Sequence, residues 1–139
     1  MSKLDNEKLC AKSEQTVNNT SSQQALAGPV EDPRITKIRE LNDRLRIEGR
    51  GGITHMTNGV AALGLPTVNA LFKAIAAFQA FTPDNNPWGE HDCAVMEIEG
   101  LRLIWKIDYY DRTRTYHSPD AADPKVTVRV LTVMLADEY

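Results

Sequence analysis

The stretch CAVMEIEGLRLIWKIDYYD, residues 93–111, is the most informative part of the sequence, because its pattern predicts two strands joined by a tight turn at positions 99 and 100. A two-residue turn and a four-residue loop both place Glu97 opposite Arg102. These opposite charges make a favourable cross-strand pair. A slip of one residue would exchange the two faces of the hairpin, so we expect this register to be well specified.

The register sorts the hairpin side chains into two faces. The predicted core face is apolar and carries Ile98, Leu101, Met96, Leu103, Ala94, Trp105 and Ile107. The other face carries Val95, Ile104, the Glu97–Arg102 pair, Cys93 opposite Lys106, and His91 opposite Asp108 if the first strand extends back that far. Polar pairs across two strands are ordinary on a solvated sheet face, which is the simplest interpretation of this second face.

Two segments before the hairpin have helical periodicity. In residues 33–48, Asp32 is a suitable N-cap, Pro33 suits the first turn and Gly49 ends the helix. The apolar stripe of this helix consists of Ile35, Ile38, Leu41 and Leu45. Residues 65–81 predict the second helix, with Val68, Leu71, Phe72, Ile75 and Phe78 on one face. Residues 53–56 predict a short strand.

The C-terminal segment DPKVTVRVLTVMLADEY, residues 123–139, gives conflicting signals. The Asp-Pro start and the LADEY ending favour a helix over residues 124–138, whereas the alternating, β-branched KVTVRV favours a strand. We predict a helix here, with a strand as the alternative. The expected fold class is therefore α+β, a small antiparallel sheet centred on residues 93–109 and packed against three helices.

The N-terminal residues 1–31 are polar and contain few large apolar groups. Such a segment cannot bury enough surface to offset its ordering entropy, which predicts a flexible, disordered tail before a single domain at 32–139. The chain has 139 residues, 42% of them hydrophobic, and a net charge of −3. This composition does not demand nucleic acid or a membrane as a partner. The two cysteines, Cys10 and Cys93, without an export signal predict free thiols in the cytoplasm.

The stretch EHDC, residues 90–93, suggests one catalytic hypothesis. Adjacent side chains on a strand point to opposite faces, so the three acids and bases of this stretch cannot converge on one ion. His91 would instead face Asp108, and an imidazole paired with a carboxylate is an element of general acid–base and nucleophilic catalysis. Cys93 beside Lys106 would have a lowered thiol pKa. The hypothesis is a hydrolase-like enzyme that uses His91 and Asp108.

Aromatic residues around the loop at 83–92 suggest a different function. Aromatic side chains on a loop are typical of a protein–protein contact, although they also cover the ends of small sheets. The candidate binding surface consists of Trp88, His91, Tyr110 and Asp111. We expect an unidentified protein partner, no membrane association and no cofactor.

Two further site classes have weaker support. The first helix, residues 33–48, contains several basic side chains, and Arg39 and Arg46 flank its apolar stripe. Arginine stems in this position usually cover apolar surface, so we expect no nucleic-acid binding and keep DNA binding as an alternative. A metal site that joins His91 and Asp108 to His117 or Asp111 is conceivable, but paired metal-ligand motifs are absent from the sequence and we predict no metal.

Several blocks of the sequence resemble a known bacterial family. FTPDNNPWGEHDCA, WKIDYYD, SPDAADP and RVLTVMLADEY resemble blocks of domain of unknown function 3768, in the same order. ITKIRELNDRLR, GRGG and GVAALG resemble its N-terminal half, so the resemblance covers about residues 34–139. This sequence has Trp88 and Cys93 where the resemblance implies Tyr and Phe.

The resemblance implies a biological setting and no chemistry. Members of this family are similar in being small cytosolic proteins, often of plasmids and other mobile elements of proteobacteria. We therefore expect a non-enzymatic, protein-binding accessory factor in the bacterial cytoplasm, tied to a mobile element through transfer or counter-defence. The alternatives are the hydrolase-like enzyme and the DNA-binding protein described above.

Overall fold

The computed structural model describes residues 31–139, which form a four-stranded sheet with helices on one face. The first helix, α1 (Pro33–Asp43), continues into a π-helical turn (Arg44–Glu48). The elements that follow are β1 (Ile53–Met56), α2 (Asn58–Ala61), α3 (Leu65–Ala77), β2 (Cys93–Ile98), β3 (Leu101–Tyr110), β4 (Val128–Leu135) and a 3₁₀ turn (Ala136–Glu138). The predicted tail lies outside the described residues, except for Glu31.

The hairpin of β2 and β3 has the predicted register. Glu97 lies opposite Arg102 and Cys93 lies opposite Lys106. The turn between the strands has positive φ at Glu99 and Gly100, which is typical of a two-residue hairpin turn. The α+β class and the hairpin are therefore confirmed.

The strand β4 corrects the prediction of a helix over residues 124–138. Val128–Leu135 pairs antiparallel with β3 and parallel with β1, so the sheet has the order β1-β4-β3-β2 and is mixed rather than purely antiparallel. The Asp-Pro signal starts a turn and not a helix, because the backbone oxygen of Asp123 accepts from the Val126 N–H and its side chain accepts from the Lys125 N–H. A central strand that is largely buried on both faces favours β-branched residues, which explains the VTVRV pattern.

The helix boundaries confirm the capping signals in the sequence. The Asp32 side chain accepts a hydrogen bond from the Arg34 N–H, and Pro33 occupies the first turn of α1. Gly49 has a φ of 70° and ends the π-helical turn in the left-handed conformation. The second helix ends at Ala77, four residues earlier than the periodicity predicts. The short α2, whose N-cap is Thr57, is not among the predicted helices.

The main core lies between the helices and the predicted inner face of the hairpin. Its buried side chains include Ile38, Leu45, Val60, Val68, Leu71, Ile75, Ala94, Leu103, Trp105, Ile107, Leu131 and Val133. The opposite sheet face is not simply solvated, because a second cluster of buried residues consists of Cys93, Ile104, Met134 and Ala136. The expectation of free thiols is wrong at Cys93, which is disulfide-bonded. The other cysteine, Cys10, lies outside the described residues.

Candidate binding cleft

A cleft of about 290 Å³ opens at the end of β3. It forms there because β2 begins opposite Lys106, so the last part of β3 extends beyond its hairpin partner. Two loops hydrogen-bond to this part of β3 in place of a strand: the Ile107 N–H donates to the Asp92 carbonyl at 2.7 Å, and the Ser118 N–H donates to the Tyr109 carbonyl at 2.9 Å. The cleft is lined by Arg34, Ile38, Trp88, Glu90, Ile107, Asp108, Tyr109, His117 and Ala121.

The loop that carries Trp88 is held by hydrogen bonds along its whole length. Thr82 and Asn85 bond each other through backbone and side chain, and the Asn86 side chain accepts from the His91 N–H at 3.0 Å. The Arg39 guanidinium of α1 donates to the Gly89 carbonyl at 2.9 Å, next to Trp88. The loop is therefore positioned against α1 and presents the indole of Trp88 to the cleft.

A chain of polar groups runs from the buried side chains of Arg129, Asn42 and Tyr109 to the half-buried Glu90 on the cleft wall. The Arg129 Nε–H donates to Asn42 Oδ1 at 2.6 Å, and Asn42 Nδ2 donates to the Tyr109 hydroxyl at 2.8 Å. The Tyr109 hydroxyl donates in turn to Glu90 Oε1 at 2.7 Å. Each hydrogen bond of the chain is donated in the direction from Arg129 to Glu90. The bond from the Tyr109 hydroxyl therefore stabilises the negative charge of the Glu90 carboxylate.

Burial affects the titration of two members of this chain. Burial, followed by the negative charges of Asp92 and Glu90, raises the pKa of the Tyr109 phenol far above its ordinary value. Burial also lowers the pKa of the Arg129 guanidinium. Arg129 is only 2% exposed and lies over the Tyr109 ring at 5.0 Å, so a cation–π contact compensates part of its desolvation.

The predicted pairing of His91 with Asp108 is wrong. His91 has a φ of 54°, so the strand does not extend back through it, and its imidazole turns towards α1 instead. His91 Nδ1 lies 3.0 Å from Asp43 Oδ1, and the imidazole stacks on Phe81 with ring centroids 3.9 Å apart. Asp108 pairs with Lys106 on its own strand.

The Asp43–His91 pair has one feature of a catalytic base and lacks another. Asp43 holds Nδ1 of the imidazole, which is the arrangement that orients a histidine base. Within residues 31–139, no hydroxyl or thiol group hydrogen-bonds to the His91 ring. Asp43 also binds Arg46 at 2.8 Å, so the pair belongs to a structural ion-pair network between α1 and the loop before β2.

The other predicted binding residues do not come together with Trp88. Tyr110 lies on the opposite face of β3 from Tyr109 and forms an isolated bridge with His117. Asp111 organises the following turn, because its Oδ1 accepts from the Thr115 N–H at 3.0 Å and the Thr113 hydroxyl at 2.9 Å. The Thr115 bond, chiefly, lowers the pKa of the Asp111 carboxyl. Of the four predicted binding residues, only Trp88 lines the cleft, together with the catalytic candidate Asp108.

Three residues of the buried polar chain were missed by sequence reasoning: Asn42, Tyr109 in its polar role, and Arg129. A signal for one of them was present, since Arg129 alternates with Leu131 and Val133 on the core face of an apolar strand. A charged residue at a core position predicts a buried partner network. That partner could not be identified, because Asn42 lies 87 positions away in the sequence.

The basic helix does not present the two arginines chosen for the DNA-binding alternative. The Arg46 side chain is 3% exposed and donates to the carbonyl oxygens of Ile75 and Phe78. Arg39 binds Gly89 and Glu31. Among the described residues, no group of three His, Cys, Asp or Glu side chains is placed to hold a metal ion. None of the described helices is long and apolar enough to cross a membrane.

The family model for "Protein of unknown function (DUF3768)" matches residues 56–138, which is more than half of the chain. The chain belongs to this family. The match confirms the resemblance over these residues. It includes Trp88, the polar residues Glu90, Tyr109 and Arg129, and the strands β2, β3 and β4. Of β1 it includes Met56 alone, and α1 lies before it. No curated protein sequence and no solved structure matches the chain.

Proposed function

We propose that this member of the DUF3768 family is a non-enzymatic binding domain that docks a protein partner at the Trp88 cleft. The observation that carries this proposal is the state of the Trp88 indole. The second tryptophan, Trp105, is packed edge-on against Phe78 and Phe81 in the core. Trp88 is half-buried on a cleft wall and makes no ring contact or hydrogen bond within residues 31–139.

Tryptophan in such a position is typical of a binding hot spot. Hot-spot residues are enriched in Trp, Tyr and Arg, and they lie in preformed pockets where a partner excludes water. The loop that carries Trp88 is already ordered by Arg39 and Asn86, so docking would cost little conformational entropy. The imidazole of His91 does not line the cleft; the histidine that lines it is His117, which makes an edge contact with the Tyr109 ring.

For the biological setting we propose an accessory role in the bacterial cytoplasm, linked to a plasmid or another mobile element through transfer or counter-defence. The support for this setting is the family resemblance of the sequence blocks alone. The binding proposal does not depend on it.

Affinity capture followed by a measurement on purified components tests the binding proposal. Full-length tagged protein would be used to capture partners from a lysate of the native host, and mass spectrometry would identify any stoichiometric partner. The purified partner would then be titrated calorimetrically against wild type, Trp88→Ala and Tyr116→Ala. Tyr116 is a matched control because it is 72% exposed and does not line the cleft.

We expect Trp88→Ala to weaken binding at least about 30-fold, which corresponds to a hot-spot loss of about 2 kcal/mol. Tyr116→Ala should bind like wild type. Equal affinity of the Trp88→Ala protein and wild type would overturn the assignment of the cleft as the docking surface. Circular dichroism of each variant checks that the fold is intact.

A further inference from the structure

We infer that the Trp88 cleft binds a proline-containing peptide segment in the extended polyproline II conformation. This inference rests on the proposed function and names the chemistry of the partner. Three properties of the cleft support it: its charges, its available hydrogen-bonding group and its size.

The charged side chains of the cleft wall are already paired within the protein. Arg34 Nε lies 3.3 Å from Asp120 Oδ1, and Asp108 binds Lys106. Glu90 accepts a hydrogen bond from Tyr109. A charged ligand would compete with these interactions, because each of the three side chains already has an opposite charge or a hydrogen-bond donor beside it. The wall therefore favours an uncharged ligand.

The Trp88 indole offers a ligand a hydrogen-bond donor, beside the His117 imidazole that also lines the cleft. The Tyr109 hydroxyl and the Asn42 amide under the cleft are engaged with each other and with Glu90. The Trp88 Nε1–H makes no hydrogen bond within residues 31–139, and an indole N–H can only donate. The matching ligand presents an acceptor. Proline segments provide backbone carbonyls that point outwards and have no N–H of their own.

The size and the lining of the cleft fit one or two side chains. Its volume of about 290 Å³ lies at the lower limit of the roughly 300–1,000 Å³ of small-molecule sites. The aliphatic residues of the lining, Ile38, Ile107 and Ala121, are almost fully buried, so the apolar surface open to a ligand is chiefly that of the half-buried Trp88 ring. Aromatic-lined grooves of this kind recognise the preformed, low-entropy polyproline II helix. A proline ring of the ligand would pack on the Trp88 ring. A neighbouring backbone carbonyl of the ligand would accept a hydrogen bond from the Trp88 Nε1–H.

A peptide titration of the full-length protein tests this inference. The probes are an acetylated, amidated decaproline and, for comparison, uncharged Gly-Ser, oligolysine and oligoglutamate decamers. The readout is the pair of indole N–H resonances in a ¹H–¹⁵N spectrum, because the chain has two tryptophans. The Trp88→Phe variant assigns the resonances and keeps an aromatic ring while it removes the N–H donor.

We expect decaproline to shift the Trp88 indole resonance in a saturable manner and to leave that of the buried Trp105 unchanged. Calorimetry should show that the Trp88→Phe protein binds decaproline about 2–10-fold more weakly than wild type, which is the effect of losing one net hydrogen bond. Tyr116→Phe, at an exposed position outside the cleft, should bind like wild type.

Two outcomes would overturn the inference. Absence of a Trp88 shift with millimolar decaproline would show that the cleft does not take a polyproline II segment. A larger shift with oligolysine or oligoglutamate would show that the ligand is charged. In either case the proposed function stands if a captured partner still depends on Trp88, and it falls separately if Trp88→Ala leaves partner binding unchanged.

Discussion

Arg46 shows how one side chain joins two parts of the fold. Its guanidinium donates to the carbonyl oxygens of Ile75 at 2.8 Å and Phe78 at 3.1 Å, where α3 ends. The last carbonyls of a helix have no partner within the helix, and a cation there also complements the helix dipole. The same guanidinium binds Asp43 and lies 5.3 Å from the centre of the Phe81 ring. Arg46 is therefore a buried cap for a neighbouring helix and not a nucleic-acid contact.

We predict that Arg46→Ala lowers the free energy of unfolding by about 3–5 kcal/mol, because it removes a donor from the partly buried Asp43 carboxylate and from the carbonyls at the end of α3. Urea denaturation of the purified protein measures this loss. Arg44→Ala changes an exposed arginine two positions earlier and should stay within about 0.5 kcal/mol of wild type. Similar losses for the two variants would contradict the capping role of Arg46.

The carboxyl of Asp43 gives a pH dependence with a defined sign. Partial burial acts to raise its pKa, but hydrogen bonds with His91 and Arg46 outweigh burial and hold the pKa below its ordinary value. The unfolded chain therefore takes up a proton at this group before the folded protein does. The stabilisation by Asp43 is present above its unfolded pKa of about 3.9 and is lost as the pH falls through the lower folded value.

We predict that the difference in urea midpoint between wild type and Asp43→Asn is larger at pH 5 than at pH 3. Denaturation curves for both proteins across this range measure the difference. Asp84→Asn, at an exposed loop position, serves as the control and should follow wild type at every pH. A difference between wild type and Asp43→Asn that stays constant with pH would contradict the linkage.

At the scale of elements, local pairing could be predicted from the sequence and long-range pairing could not. The hairpin register follows from two adjacent segments and one short turn, so the Glu97–Arg102 pair was enough to fix it. The parallel contact of β1 with β4 joins Ile53 to Val130 across most of the chain, and no local feature indicates it. The Asp123-Pro124 signal was misleading because the same residues start turns as well as helices.

Gly52 explains how β1 reaches β4, and it provides a test at this scale. A Cβ atom at this position would lie 2.6 Å from the Arg129 carbonyl oxygen and 2.8 Å from Leu45. The absence of a side chain therefore allows the connector to cross close to the β4 backbone. We predict that Gly52→Ala lowers the free energy of unfolding by about 1–3 kcal/mol, measured by urea denaturation. Arg50→Ala, two positions earlier at an exposed site, should leave it unchanged.

At the scale of the whole molecule, the cleft depends on elements that are distant in sequence. Asn42 of α1, Glu90 of the loop before β2, Tyr109 of β3 and Arg129 of β4 form its buried support. The sequence predicts Trp88 as a binding residue because aromatic residues on Pro-rich loops are distinctive, and in the structure Trp88 lines the cleft. The prediction placed His91 opposite Asp108, whereas the left-handed backbone of His91, two residues before β2 begins, turns the imidazole towards Asp43.

The Tyr109 phenol links this support to the stability of the entire fold. Its pKa is raised by burial and by nearby carboxylates, so the folded protein keeps the phenol proton at a pH where the unfolded chain loses it. The contribution of Tyr109 to stability is therefore complete below its unfolded pKa of about 10 and declines as the pH rises above that value. Tyr109→Phe removes the hydroxyl and with it this dependence.

We predict that Tyr109→Phe costs about 1–3 kcal/mol at neutral pH, because Glu90 and Asn42 each lose a hydrogen-bond partner. The stability gap between wild type and variant should then narrow as the pH rises above about 10. Tyrosinate absorbance provides an independent measurement. At alkaline pH, folded wild type and folded variant should show equal tyrosinate absorbance. In urea, the wild type should show the absorbance of one more tyrosinate than the variant, because all four of its tyrosines then ionise. An extra tyrosinate in the folded wild type would mean that the Tyr109 hydroxyl is accessible to solvent. The hydrogen bonds from Asn42 and to Glu90 would then not shield it from ionisation.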